Sequence, residues 1–135
     1  MTARELTLDN ESLDTEVARL CGWTMEYVQS TTNGRRINRY MWFPREHKPP
    51  MSWMEILHFG KSTAPNYTIN LNECAEMEKE LGEQRLHGNY AYGRYVRYLH
   101  MITRVDGRTG ETAGPRERCI AFVLAMREPT NERQQ

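Results

Sequence analysis

The chain has 135 residues, 39% of them apolar and 27% charged, with 18 acidic side chains balancing 18 basic ones. That length supplies one ordinary domain with a real core and is too short for two comfortable ones. Zero net charge argues against a general electrostatic grip on duplex nucleic acid or an anionic membrane, either of which wants an excess of Lys and Arg, while a local basic patch stays open. No run approaches the roughly 18 to 20 apolar residues of a membrane span, and the opening M-T-A-R-E-L-T-L-D-N lacks the apolar centre of a signal peptide. The expected location is therefore the cytosol of the cell that makes the protein, with no membrane partner.

Asp9, Asn10 and Ser12 offer helix caps ahead of Leu13, Val17, Leu20 and Cys21, whose spacing predicts a first helix ending before Gly22. From Thr24 the period changes to two, and Asn33-Gly34 sits between T-M-E-Y-V-Q-S-T and R-I-N-R-Y-M-W-F. Asn-Gly favours a type I′ turn, so a hairpin is expected with Tyr27 opposite Tyr40 and Met25 opposite Trp42. Those four form its apolar face, which turns polar toward the tip through Gln29, Asn38 and Arg36.

Pro44, Pro49 and Pro50 predict a loop. The run 51–59, M-S-W-M-E-I-L-H-F, reads as either a strand or a short helix, with strand preferred. The stretch N-Y-T-I-N-L-N-E-C-A-E-M-E-K-E-L-G, 66–82, holds a helix with both ends marked: Asn70 as cap, Glu73 as capping-box carboxylate, Ile69 and Cys74 as staple, Gly82 as terminator. Its packed stripe is read as Leu71, Cys74, Ala75 and Leu81, with Met77 at the edge. After Gly88-Asn89, residues 90–105 form the longest extended-looking run, with Tyr95, Leu99, Met101 and Val105 on one parity and Tyr92, Arg94, Val96, Tyr98, His100 and Ile102 on the other. They read as a long strand bent at Gly93, followed by a turn from Asp106-Gly107 to Gly110. Pro115 opens a last helix carrying Cys119, Ile120, Phe122, Val123, Leu124 and Met126, closed by Pro129. The tail 130–135 is expected to be mobile.

These elements add up to a single α+β domain over 1–129, with its core in about 10–127 and an antiparallel sheet packed by about three helices. Cys21, Cys74 and Cys119 are odd in number, widely spaced and without C-x-x-C, which predicts reduced core thiols.

Four stretches together, L-D-T-E-V-A-R-L-C-G-W (13–23), the Trp- and Pro-containing middle, P-N-Y-T-I-N-L-N-E-C-A-E-M-E-K-E-L (65–81) and T-A-G-P-R-E-R-C-I-A-F-V-L-A-M (112–126), are distinctive in their order. In them the chain resembles the small bacteriophage proteins grouped as the phage ABA sandwich domain. It departs from that pattern in the long hairpin with Asn33-Gly34 and in the extra glycine before Pro115. The resemblance implies helices against a sheet and a viral origin, hence action in the host cytoplasm, and it carries no catalytic motif.

G-K-S-T at 60–63 looks like the end of a phosphate-binding loop, but position 55, where such a loop needs glycine, is Glu55. The four histidines have no zinc-motif spacing and no nucleophile signature occurs, so neither an enzyme nor a metal or cofactor is expected. The informative pattern is arginine interleaved with aromatics: Arg36, Arg39, Tyr40 and Trp42 by the hairpin, and Tyr92, Arg94, Arg97 and Tyr98 in the long run. Guanidinium forks take phosphate oxygens and aromatic faces stack on bases, so the set suits a nucleotide. It equally suits an ordinary sheet surface or a protein interface, where Tyr, Trp and Arg dominate hot spots.

The role expected is a phage accessory protein that counters host defence by sequestering a host defence protein or a small nucleotide signal. Nucleic-acid binding and a structural protein without ligand are the alternatives, the former disfavoured by the neutral charge. The last helix has more apolar circumference than one sheet face covers, which predicts a homo-oligomer through Phe122, Val123 and Met126. Coverage by residues 51–59 of the same chain is the competing outcome.

Overall fold

A computed structural model describes residues 8–85, 90–104 and 113–127. Among these the chain forms five helices and one two-stranded antiparallel sheet, an α+β composition with more helix than the expected three. The elements are α1 (Asn10–Leu20), β1 (Thr24–Thr32), β2 (Arg35–Phe43), α2 (Trp53–Phe59), α3 (Leu71–Arg85), α4 (Tyr90–Arg104) and α5 (Pro115–Arg127). The chain divides into two compact units, Met1–Val17 with Asn66–Gln135, and Ala18–Pro65; the division falls within α1. The expected turn at 106–110, the strand end at Val105 and the tail 130–135 lie outside the described residues.

The unit Ala18–Pro65 is built on the hairpin. Asn33 and Gly34 both take positive φ, 48° and 79°, as a type I′ turn requires, and the register pairs Tyr27 with Tyr40 and Met25 with Trp42 as the turn predicts. The packed face is the opposite one from that expected. Val28, Ile37, Met41 and Phe43 are buried with Ile56 of α2, while Met25, Tyr27 and Tyr40 face solvent. Both parities of β2 carry large apolar groups, so alternation could not choose between them. The face without tyrosines is the one that can be dried without leaving a Tyr O–H unbonded, although Trp42 on the other face is buried as well.

Residues 53–59 form a helix, not a strand. Ser52 Oγ accepts the Glu55 N–H at 3.2 Å and Glu55 Oε1 accepts the Ser52 N–H at 2.8 Å, a reciprocal capping box that the letters S-W-M-E already spelled out. These bonds to Ser52, the backbone one first, hold the Glu55 carboxyl below its usual range.

In the other unit, Asp9 caps α1 by accepting the Ser12 N–H at 2.7 Å, and that bond pulls the Asp9 carboxyl below its usual range. Asn70 caps α3, its Oδ1 accepting from the N–H groups of Asn72 at 2.8 Å and Glu73 at 3.3 Å. The helix runs through Gly82 to Arg85, so Gly82 is no terminator: a mid-helix glycine costs about 1 kcal/mol, which packing elsewhere on α3 outweighs. Its buried stripe is Cys74, Met77 and Leu81, with Leu71 and Ala75 exposed, and Ile69 stands in solvent instead of stapling the entry.

Residues 90–104 are a helix where a bent strand was expected. Ala91, Tyr95, Leu99 and Ile102, at i, i+4, i+8 and i+11, are the buried row, and Gly93 is an ordinary exposed helical position. In α5, Pro115 takes the first-turn position and Glu117 Oε1 accepts the Gly114 N–H at 2.8 Å. Everything from Cys119 to Ala125 is buried, with α4 and α3 packed against the helix.

That packing removes the reason for a contact between copies through α5. Phe122 and Val123 are fully buried within their own unit, and Met126 is half-buried. The cover for the apolar circumference comes from α4 and α3, two helices, where one sheet face was expected.

Candidate functional site

The sequence-predicted set divides between the two units. Tyr92, Arg94, Arg97 and Tyr98 lie on α4, in the unit of the chain termini. A helix turns about 100° per residue, so Tyr92 and Arg94, which would share a strand face, point to nearly opposite sides. Tyr92 is exposed and Arg94 is only 6% exposed. Arg94 Nε and Nη2 donate to the carbonyl of Ala125 at 2.9 and 2.8 Å. Ala125 lies in the last turn of α5, where carbonyls lack a partner four residues on, so Arg94 is a helix cap held inside the unit and not a ligand group. Arg97 is exposed, with its guanidinium 5.7 Å from the centre of the half-buried Tyr98 ring.

Two polar clusters in this unit escaped the sequence reading. The Tyr95 hydroxyl donates to Glu78, which also takes Arg118 Nη1 at 3.0 Å, and Arg118 Nε donates to the Ala113 carbonyl at 2.9 Å. Burial first, and then the Glu78 carboxylate, push the Tyr95 phenol well above its usual range, so it stays a neutral donor. Asp14 Oδ1 accepts the Thr68 N–H at 2.8 Å, while burial raises its carboxyl above the usual range. Both clusters tie helices together with their hydrogen-bonding groups directed inward. Cys74 and Cys119 are buried and Cys21 is half-buried, and none of the three forms a disulfide among the described residues.

Arg36, Arg39, Tyr40 and Trp42 lie on β2, in the other unit. Trp42 is 3% exposed and cannot stack on a ligand. Its backbone exchanges bonds of 2.8 and 2.9 Å with Lys61, and the Arg19 guanidinium lies 5.8 Å from its ring centre. Tyr40 is 63% exposed and packs edge-on against Tyr27 at 5.2 Å, with the Tyr27 hydroxyl donating to Asn38. Arg36 projects on the same face as Tyr40, and Arg39 on the other. Arg35, Arg36 and Arg39 are all exposed and make no hydrogen bond or ion pair among the described residues.

A cleft of about 670 Å³ opens beside this basic tip, lined by Thr32, Asn33 and Arg35 of the hairpin and by Ser52, Trp53 and Met54 at the start of α2. That size lies within the range of small-molecule sites, roughly 300–1,000 Å³. The arginine that lines it is Arg35 and the aromatic is Trp53, neither of them among the predicted ligand residues. A strand reading of 51–59 hid the pairing, because only the capping box at Ser52 turns Trp53 and Met54 back toward the hairpin tip.

The neutral net charge also conceals an imbalance. Residues 18–65 carry seven basic and three acidic side chains, and the remainder of the chain eleven basic and fifteen acidic. The hairpin unit is therefore a cationic surface, with Arg35 and Arg36 at its tip and Arg39 at the middle of β2.

Among the described residues no group of three or more His, Cys, Asp or Glu side chains is placed to hold a metal, and no helix is long and apolar enough to cross a membrane. No family model, curated protein or solved structure matches the chain.

Proposed function

We propose that this is a small phage-encoded accessory protein, acting in the host cytoplasm, that counters host defence by binding and sequestering a nucleotide signal without catalysis. The observation that carries the reading is the Arg35 guanidinium, without a hydrogen bond or ion pair among the described residues, at a cleft that Trp53 also lines. A free guanidinium takes phosphate oxygens by two parallel bonds, and an indole face takes a base. The adjacent Arg36 and Arg39 add a positive field that attracts anions to this end. The resemblance to phage ABA sandwich proteins supports the viral setting.

The experiment is mass spectrometry of nucleotides co-purified with the protein, followed by titration calorimetry of the nucleotide found against wild type and Arg35→Ala. A hydrogen bond to a charged group contributes about 1.5–3 kcal/mol, so Arg35→Ala should weaken binding at least about tenfold. Arg35 is exposed and supports nothing in the core, so the fold is retained. Unchanged affinity in Arg35→Ala, or no nucleotide bound at all, refutes the reading.

One observation favours a second target, a host defence protein. Met25, Tyr27 and Tyr40 form an exposed apolar face on the hairpin, and exposed Tyr and Met beside Arg are the composition of interface hot spots. A stoichiometric host protein retained from lysate by wild type and lost with Tyr40→Ala supports it. The cationic unit also reopens nucleic acid as a ligand, for which salt-sensitive binding of oligonucleotides is the signature.

A further inference from the structure

The backbone of the hairpin has two outer edges, and they differ. Trp42 directs both its N–H and its C=O away from β1, to Lys61. By the alternation of an antiparallel ladder, Arg36, Asn38 and Tyr40 also point their backbone groups outward from β2, and their partners Met25, Tyr27, Gln29 and Thr31 point theirs outward from β1. The β2 edge is guarded by the Lys61 bridge at one end, by Arg35 and Arg36 at the other and by Arg39 at its middle, and edge-strand charges of this kind discourage pairing. The β1 edge has no such guard. It pairs with β2 in unbroken register, contains no Pro or bulge, and carries Glu26 as its single charge. None of its four outward-facing residues has a backbone partner beyond β2 among the described residues, and all four are exposed.

We propose that β1 pairs antiparallel with β1 of a second copy about a twofold axis at Val28, making one four-stranded sheet. The strand is complementary to itself in this register. Met25 falls opposite Thr31 of the second copy and Tyr27 opposite its Gln29, so every outward N–H and C=O is used, in about eight backbone hydrogen bonds. A twofold axis at Tyr27 would leave Thr31 unpaired, and one at Gln29 would leave Met25 unpaired. Antiparallel pairing also places Glu26, toward the base of one hairpin, at the same end as Arg35 and Arg36 at the tip of the other. The cleft at Arg35 adjoins this seam through Thr32, and the pairing is argued independently of what that cleft binds.

The test has two parts, both on the full chain. Light scattering over a wide concentration range should give twice the 15.9 kDa chain mass; a monomer at every concentration overturns the proposal. For the register, differently tagged Met25→Cys and Thr31→Cys chains are mixed and mildly oxidised, with the unsubstituted chain controlling for Cys21, Cys74 and Cys119. Both substituted positions are exposed, so the fold tolerates them. The mixed disulfide should exceed by several-fold the disulfide of either variant alone. A dimer in which the mixed product is no more abundant than the others is assembled through another surface, and that result also overturns the proposal.

Discussion

Replacing Arg94 by methionine separates the two meanings of that residue. As a ligand arginine on a sheet face it would be dispensable for folding, and a surface substitution of that kind changes stability by no more than about 0.5 kcal/mol. As the cap seen on α5 it is not dispensable. Two charge-assisted hydrogen bonds, 2.9 and 2.8 Å, end on one carbonyl, and Arg94 is almost completely buried. Methionine keeps most of the stem's packing but strips the Ala125 carbonyl of both donors in a place water does not reach. Hydrogen bonds to a charged group are worth about 1.5–3 kcal/mol net, and an orphaned buried acceptor costs about 1–3 kcal/mol. These overlap, so the expected loss is about 3–5 kcal/mol, as for breaking other buried charged contacts. Against a typical total of about 5–15 kcal/mol, that is a large fraction. Urea unfolding followed by circular dichroism reads the loss directly, and Arg94→Lys, with one donor head in place of a fork, should fall between the two. A variant that unfolds like wild type but no longer binds nucleotide would refute the cap and restore Arg94 to the ligand site.

Phe122→Glu, which a dimer through α5 would turn into a folded monomer, should instead unfold its unit. A carboxylate in place of a fully buried ring costs more than about 3 kcal/mol, and a folded, soluble variant by circular dichroism would contradict this. Gly34→Ala should destabilise the hairpin unit by about 1 kcal/mol in urea unfolding. The site has open space around it, so the whole cost is the strain of holding φ +79° with a Cβ, and a neutral outcome would contradict the I′ turn. Acid acts in opposite directions at different carboxylates. Asp9 and Glu55 are held low by the N–H groups of Ser12 and Ser52, so their stabilisation is present above the usual carboxylate range and is lost as pH falls through the depressed values. Asp14 is raised by burial, so its ionisation takes stability away as pH rises from the usual value through the raised one. In an amide-resolved NMR titration Thr68 should therefore titrate at higher pH than Ser12 and Ser52, and the reverse order would contradict the assigned contacts.

The chain by itself determined those features whose cause is local. Asn33-Gly34 dictates turn type and therefore register, since only residues tolerant of positive φ close a two-residue loop with the right twist. Asp9, Asn70 and Pro115 mark helix starts because caps and first-turn prolines act within one turn of the backbone. Ser52 with Glu55 belonged to the same class of signal and outweighs the β-like composition of 51–59. Residues 90–104 carried two periods at once: Tyr92, Arg94, Val96 and Tyr98 alternate, while Ala91, Tyr95, Leu99 and Ile102 repeat as a helix. Length argued for the helix, since 15 residues are ordinary for one and long for a strand.

Only tertiary structure decided which face of β2 packs on α2, because Tyr40 matches Ile37 and Phe43 in apolar area and differs in what its hydroxyl requires, while Trp42 is buried on the Tyr40 face as well. It also decided the fate of each arginine. Arg94 and Arg35 are chemically the same and both stand near aromatics in sequence, yet one caps the Ala125 carbonyl in a dry interior and the other opens on a cleft beside Trp53. A guanidinium is a ligand group only where no protein carbonyl or carboxylate has claimed it, and that claim is made by residues about 30 positions away in the case of Arg94. The uneven charge was hidden for the same reason: a sum over the whole chain carries no information about which residues fold together.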